Sequence, residues 1–175
     1  MIPHDHTVQF YEDDTFLMDS VTSFIKDGLR VNETVIIVAT AQHREELIKT
    51  LTPEEMTHDQ LIFFDAGEQV GKFMIDDWPS ELRFRKVVGG MIGQACQKGR
   101  VRIFGEMVAV LWAEGYTRAA IRLEELWNKV ATEQSFSLLC AYPLSKISGE
   151  QDKHSLLAIS QLHTHVQNLQ STVSC

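Results

Sequence analysis

The stretch that most constrains the fold of this chain runs from Thr7 to Thr40. Residues Thr7–Tyr11 are rich in β-branched and aromatic side chains, which is typical of a half-buried strand. The acids Glu12–Asp14 then break the apolar run, and an aspartate is a good N-cap for the amphipathic pattern that follows. The continuous apolar run Val35–Ala39 is typical of a strand buried on both faces. The stretch therefore predicts a βαβ unit in a parallel sheet.

The turn after the first strand is the expected ligand position, because parallel sheets of this kind bind ligands beyond the carboxyl ends of their strands. A phosphate-binding loop at this place needs glycines and a lysine. The segment Tyr11–Asp14 instead carries three carboxylates and no glycine. Since carboxylates repel phosphate, the sequence predicts the scaffold of a nucleotide-binding fold without binding of nucleoside triphosphates.

The alternation of strand and helix patterns continues along the chain. Further strands are predicted at Leu61–Phe64, Val101–Phe104 and Phe136–Tyr142, with helical patterns between them. This order predicts an α/β fold with three layers, in which helices flank a mostly parallel sheet.

The last part of the sequence shows a second apolar pattern. From Ser155 onwards, residues spaced by three and four predict one long helix with a single apolar stripe: Ile159, Leu162, Val166, Leu169 and Val173. We therefore divide the chain into residues 1–150 and a C-terminal helix, 151–175, that belongs to the same unit. This helix could connect to a partner or pair with its copy in a homodimer.

Composition limits the class of protein. A chain of 175 residues is long enough for one domain with a sizeable core. Its net charge of −8 disfavours direct binding to nucleic acid or to an anionic membrane. The sequence has neither a signal peptide nor an apolar run near the roughly 20 residues of a membrane helix. Three widely spaced cysteines indicate reduced thiols and hence the cytoplasm.

Several segments in this order resemble the MEDS family, a sensory domain named after methanogens, methylotrophs and the regulator DcmR. The segments are His6 with FYEDD, FIKDGLRVNETVIIVAT, the strand end at Asp65, RIFGEM, LEELWN and LLCAYP. The resemblance covers about Thr7 to Tyr142 and extends towards Val166. The family resembles the KaiC/RecA ATPases, but it looks like a degenerate relative of them that lacks the Walker A loop. The resemblance implies a cytoplasmic ligand-sensing module, often joined to a DNA-binding domain or a histidine kinase, and the present sequence contains neither.

The candidate ligand-binding residues lie at predicted strand ends or on nearby apolar faces. They are Tyr11, Glu12, Asp13, Asp65, Glu106, Trp112 and Tyr142. Because ligand sites are mostly apolar with few polar groups, we expect a small, uncharged or apolar molecule and no cofactor. The main alternative is an enzyme that uses Glu12, Asp65 and Glu106 as an acid–base cluster, or a protein that retains some nucleotide binding.

The histidines and cysteines suggest a metal site, which the sequence supports less than it supports the ligand site. A composite metal site could combine His6, Cys140 and His163, although nothing in their spacing demands it. Cys140 lies in the middle of a predicted strand, where a buried and inert thiol is the simpler interpretation. Glu124 lies beside the apolar face of its helix, and we expect it to be partly buried against an arginine such as Arg102.

Overall fold

A computed structural model describes residues 5–169, and of residues 168 and 169 it describes the backbone alone. Within this range six strands form one sheet in the order β3-β2-β6-β7-β1-β8, and every neighbouring pair is parallel. These strands are β1 (Asp5–Tyr11), β2 (Thr34–Ala39), β3 (Leu61–Asp65), β6 (Val101–Gly105), β7 (Ser137–Pro143) and β8 (His165–Leu169). Two short strands, β4 (Met74–Ile75) and β5 (Trp78–Pro79), form a separate antiparallel hairpin.

Helices connect the strands and cover both faces of the sheet. They are α1 (Asp14–Arg30), α2 (Ala41–Thr50), α3 (Pro53–Met56), α4 (Ala66–Phe73), α5 (Glu81–Phe84), α6 (Gly90–Cys96), α7 (Met107–Ala113), α8 (Thr117–Ala131) and α9 (Glu150–Gln161). A π-helical turn, Arg85–Gly89, joins α5 to α6, and a 3-10 turn, Leu144–Lys146, follows β7. Among the helices of residues 5–169, none combines the length and apolarity that crossing a membrane requires.

The two faces of the sheet contribute to two apolar cores. One core packs α1 and α2 against alternate residues of the strands, among them Val35 and Ile37 of β2. The other packs α4 to α9 against the intervening residues, among them Ile36 and Val38. All six residues of β2 are buried, as expected for a parallel strand covered on both sides. The three-layer α/β fold predicted from the sequence is therefore present.

The predicted C-terminal helix is wrong in its second half. Helix α9 ends at Gln161, and residues 165–169 form strand β8, which pairs with β1. Ile159 is fully buried, whereas Val166 is 51% exposed on the strand, so they do not share a helical stripe. Val173 lies outside the described residues. The apolar spacing fitted a helix, but hydrogen bonding to β1, a partner distant in sequence, decided the conformation.

The end of α1 packs closely against the sheet at Gly28. A Cβ atom at this position would lie 2.6 Å from Cγ2 of Val35 and 2.7 Å from Cδ of Arg102. Arg102 in turn lies over the Phe24 ring and is paired with Glu33. The absence of a side chain at Gly28 therefore sets how closely α1 approaches β2.

We predict that Gly28→Ala destabilises the protein by about 1–3 kcal/mol, because the added methyl group overpacks this contact. Gly71→Ala is the matched control, since it also lies within a helix but has no atom within 4 Å of an added Cβ. That substitution should be neutral or stabilise by up to about 1 kcal/mol. Denaturant unfolding of both variants checks the difference, and equal stabilities would contradict the packing argument.

Candidate functional site

A cleft of about 510 Å³ opens where four parallel strands end. Its lining includes one residue at or just after the end of each of these strands: Tyr11 (β1), Thr40 (β2), Glu106 (β6) and Pro143 (β7). One wall is the face of α7 formed by Ala109, Val110 and Ala113. The volume lies in the range of pockets that hold small molecules, and the position is the usual one for ligands of parallel α/β sheets.

Glu106 and His43 form the polar centre of this cleft. Glu106 is 2% exposed, and its Oε1 lies 2.5 Å from Nδ1 of His43. Its second oxygen accepts a hydrogen bond of 2.9 Å from the backbone N–H of Thr40. Nε2 of His43 lies 3.6 Å from a carboxylate oxygen of Asp14. Both oxygens of the buried carboxylate are thus held in place by the end of β2 and the start of α2.

The carboxylates change the proton affinity of the neighbouring groups. Burial alone would lower the pKa of His43, but its hydrogen bond to Glu106 and the charges of Glu106 and Asp14 outweigh burial and raise that pKa above 6.5. Burial raises the pKa of Tyr11, and the charges of Glu106 and Asp14 raise it further. The cleft therefore presents a phenol O–H beside the Glu106–His43 pair, in which the neighbouring carboxylates favour the protonated form of the imidazole.

Two of the predicted acids serve mainly as helix caps. Asp13 is exposed and accepts a 2.6 Å hydrogen bond from the backbone N–H of Thr15, which lowers its pKa. Asp65 caps α4 and forms a 2.8 Å ion pair with Arg44. Glu12 is exposed, and neither it nor the two caps lines the cleft. The structure therefore brings Glu106, but not Glu12 or Asp65, to the cleft.

Trp112 and Tyr142 lie beneath the cleft rather than on its surface. Both are buried, and their rings meet edge to face with centroids 5.6 Å apart. The indole N–H of Trp112 donates a 3.0 Å hydrogen bond to the carbonyl of Lys146, and Lys146 itself lines the cleft. These two aromatic residues therefore support the turn after β7.

Sequence reasoning missed His43 and Thr40 as lining residues, whereas Asp14 belongs to the turn that it indicated. Thr40 follows a predicted buried strand directly, and His43 comes three residues later on the first turn of α2. The rule that placed ligands beyond strand ends applied to β2 as much as to β1. It would have indicated Thr40, whereas the pairing of His43 with Glu106 depends on the neighbouring positions of β2 and β6.

A second polar cluster is buried between the sheet and helices α8 and α9. The structure brings together His6, Cys140 and His163, the residues of the predicted metal alternative, and adds Glu124. One ligand atom from each of the four lies within 4.8 Å of all the others. Glu124 is fully buried here, and Arg102 pairs instead with Glu33, so the expected partner of Glu124 was wrong.

The protonation of this cluster is set by burial and by mutual contact. Burial raises the pKa of Glu124, but His163 and His6 outweigh it, so the pKa lies well below the ordinary value. Burial, reinforced by the charge of Glu124, raises the pKa of Cys140 and that of Tyr142. The hydroxyl of Tyr142 donates a 2.7 Å hydrogen bond to Oε1 of Glu124. The carboxylate of Glu124 is therefore ionised, and the hydroxyl of Tyr142 orients it.

Comparisons with known proteins agree with this architecture. The family model of MEDS, the methanogen/methylotroph, DcmR sensory domain, matches residues 5–164. A comparison with curated protein sequences gave no significant match. A solved structure from Pyrococcus horikoshii OT3, described as a structural study of Project ID PH0250, is similar with a TM-score of 0.59 and 9% sequence identity. The similarity covers 96% of this chain and 83% of the other, and at this identity it shows the fold alone.

We predict that the contribution of His43 to stability decreases as pH rises. A group with a raised pKa in the folded state stabilises most below its unfolded pKa of about 6.5 and loses this effect as pH rises through the folded value. Between about pH 6 and pH 9, the free energy of unfolding of the wild type should therefore fall more steeply than that of His43→Gln. The exposed His154 provides the control substitution, His154→Gln, which should follow the wild type. Parallel curves for wild type and His43→Gln would contradict the assignment.

Proposed function

Because the chain belongs to the MEDS family of sensory domains, we propose that it senses a small, uncharged molecule bound in the cleft at the strand ends. The observation that carries this proposal is the arrangement around Glu106. One buried, fixed carboxylate and one phenol lie beside an apolar wall in a cleft of about 510 Å³. This is the usual composition of a ligand site, in which apolar surface supplies affinity and a few polar groups supply orientation.

The charges of the cleft support an uncharged ligand. The carboxylate of Glu106 is already bonded to His43 and to the backbone N–H of Thr40, so it is not free to act as the counter-ion of a cationic ligand. Asp14 and Glu114 add two negative charges to the lining and Lys146 adds one positive charge, and this negative excess disfavours phosphates and carboxylates. An uncharged molecule with one hydrogen-bonding group could contact Tyr11 or Glu106 and lay its apolar part along α7.

Binding without catalysis is the simpler function for this arrangement. The enzyme alternative required Glu12, Asp65 and Glu106 to act on one substrate, and only Glu106 lines the cleft. Asp65 is engaged by Arg44 and by the first turn of α4 and does not line the cleft, so it is not placed for proton transfer to a ligand there. The family, which is a sensory one, favours the same conclusion.

Helix α7 is the proposed route by which binding reaches a partner. It begins directly after Glu106, and one face of it lines the cleft. Its far end leads into Tyr116, which lies with the half-exposed Trp78 beside a second surface depression. A ligand that shifts α7 would thus move an aromatic surface available to a second copy of the chain, a histidine kinase or a transcription regulator.

Native mass spectrometry of freshly purified protein tests the proposal, because a retained small molecule would be identified by its mass. Once the ligand is known, Glu106→Gln and Tyr11→Phe should each weaken its binding about tenfold or more, through the loss of about 1.5–3 kcal/mol per hydrogen bond. Glu12→Gln is the matched control, since Glu12 is an exposed acid that follows Tyr11 on the turn after β1 but does not line the cleft. Equal affinity of all three variants would refute a site at the cleft.

We also predict that the protein neither hydrolyses nor tightly binds ATP or GTP. The turn after β1 offers carboxylates where a nucleotide site needs backbone N–H groups and a lysine. Calorimetric titration with Mg²⁺ and nucleotide should give no heat of binding at micromolar protein. Micromolar affinity that is lost on substitution of Tyr11–Asp14 would overturn this prediction.

A further inference from the structure

The buried cluster of His6, Glu124, Cys140 and His163 is the feature that the proposed sensing site does not use. Its four residues come from β1, α8, β7 and the turn that follows α9. The side chains of His6, Glu124 and His163 are fully buried, and Cys140 is also at 0% exposure. Four polar groups from distant parts of the chain therefore converge in the interior, where each needs a strong partner.

Four of the six separations among the ligand atoms fit one coordination polyhedron, and all six are within 4.8 Å. Nε2 of His6 lies 3.1 Å from Oε2 of Glu124, and Nε2 of His163 lies 3.3 Å from the same oxygen. Sγ of Cys140 lies 3.5 Å from Nε2 of His6 and 3.6 Å from Oε2 of Glu124. A tetrahedral zinc ion with bonds of about 2.0–2.1 Å to nitrogen and oxygen and about 2.3 Å to sulfur separates its ligand atoms by about 3.3–3.6 Å.

The outer partners orient both imidazoles towards the centre. Nδ1 of His163 lies 2.6 Å from the carbonyl oxygen of Ile159, which can only accept, so Nδ1 carries the proton. Nδ2 of Asn128 donates to the carbonyl of Leu162, so Oδ1 of Asn128 accepts from Nδ1 of His6 at 2.9 Å. In both residues Nε2 is therefore the atom aimed at the cluster. Such outer hydrogen bonds are the usual companions of metal-binding histidines.

Hydrogen bonding among the protein groups leaves one of these atoms unsatisfied. Nε2 of His163 is buried and, although it lies 3.3 Å from Glu124, it makes no hydrogen bond of acceptable geometry among the described residues. If Nε2 of His163 carries no proton, its lone pair faces the carboxylate of Glu124, and the two repel each other. A cation at the centre would accept lone pairs from both imidazoles, the carboxylate and the sulfur at once.

We propose that these four residues form a structural zinc site. Two imidazoles, a carboxylate and a thiolate are ligands that suit tetrahedral zinc, whereas calcium and magnesium prefer oxygen. Binding displaces the Sγ–H proton of Cys140 to solvent. The two positive charges of the ion then balance the thiolate and the carboxylate of Glu124, so the buried site is neutral. With four protein ligands and no open position, the site is structural rather than catalytic.

Zinc at this position ties the C-terminal segment to the core. His163 directly precedes Thr164, whose backbone N–H and hydroxyl both bond the carbonyl of His6, at 2.8 and 3.0 Å. Strand β8 follows and pairs with β1. The ion would therefore fix the start of β8 against β1 and couple its placement to metal occupancy.

Metal titration of the full chain after chelator treatment tests the proposal. One equivalent of cobalt(II) should give the intense visible bands of four-coordinate cobalt and a thiolate-to-cobalt charge-transfer band, and zinc should displace it. At free zinc about a hundred times its Kd, the Tm should rise by roughly 5–10 °C. No stoichiometric binding, or a cobalt spectrum without the thiolate band, would overturn the site and indicate a buried His–Glu–His ion cluster instead. Neither readout depends on a ligand in the cleft.

Matched variants test which residues bind the metal. Cys140→Ser should lose the charge-transfer band and weaken zinc binding by more than about a hundredfold, whereas Cys96→Ser, at the other cysteine of the described residues, should bind as the wild type does. Asn128→Ala removes only an outer hydrogen bond and should weaken binding by roughly 10–100-fold. Equal effects of Cys96→Ser and Cys140→Ser would refute the assignment. If Cys140→Ser does not fold, the wild-type cobalt spectrum and Asn128→Ala decide the question.

Discussion

The constraint on which this structure depends is that a parallel sheet must be covered on both faces. Its strands are joined by helices, and each crossover returns the chain to the same edge. All six strands of the parallel sheet therefore end at one edge, and polar residues that follow different strands meet there. The contact between Glu106 after β6 and His43 after β2 follows from this geometry. The cleft is a consequence of the topology before any ligand is considered.

The same burial makes polar groups in the interior expensive, and the buried histidines and glutamates of residues 5–169 lie in two clusters. In the cleft, Glu106 is held by an imidazole and a backbone N–H. In the core, Glu124 is held by Tyr142 and faces two histidines. The clusters are joined through aromatic contacts, because the ring of Tyr142 packs on Trp112, which bonds the turn lining the cleft.

Local patterns failed where a long-range partner decided the conformation. The spacing of Ile159, Leu162 and Val166 fitted a helix, yet residues 165–169 form a strand because β1 offers a free edge. The carboxylates of Asp13 and Asp65 were predicted at the ligand, and both cap helices. A strand end followed by a helix needs an N-cap as often as a ligand contact, and sequence alone does not separate the two roles.

The sequence by itself determined the βαβ unit at Thr7–Thr40 and the parallel three-layer fold, because apolar periodicity and strand burial are local properties. The resemblance of its segments to those of known relatives indicated the family. It also predicted a ligand site at the strand ends and included Tyr11 and Glu106 among its residues, and both line the cleft. Only the tertiary structure decided that His43 pairs with Glu106 and that Glu124 joins the three residues suspected of binding metal. Those contacts join segments that are far apart in the chain, and no spacing along the sequence encodes the distance between them.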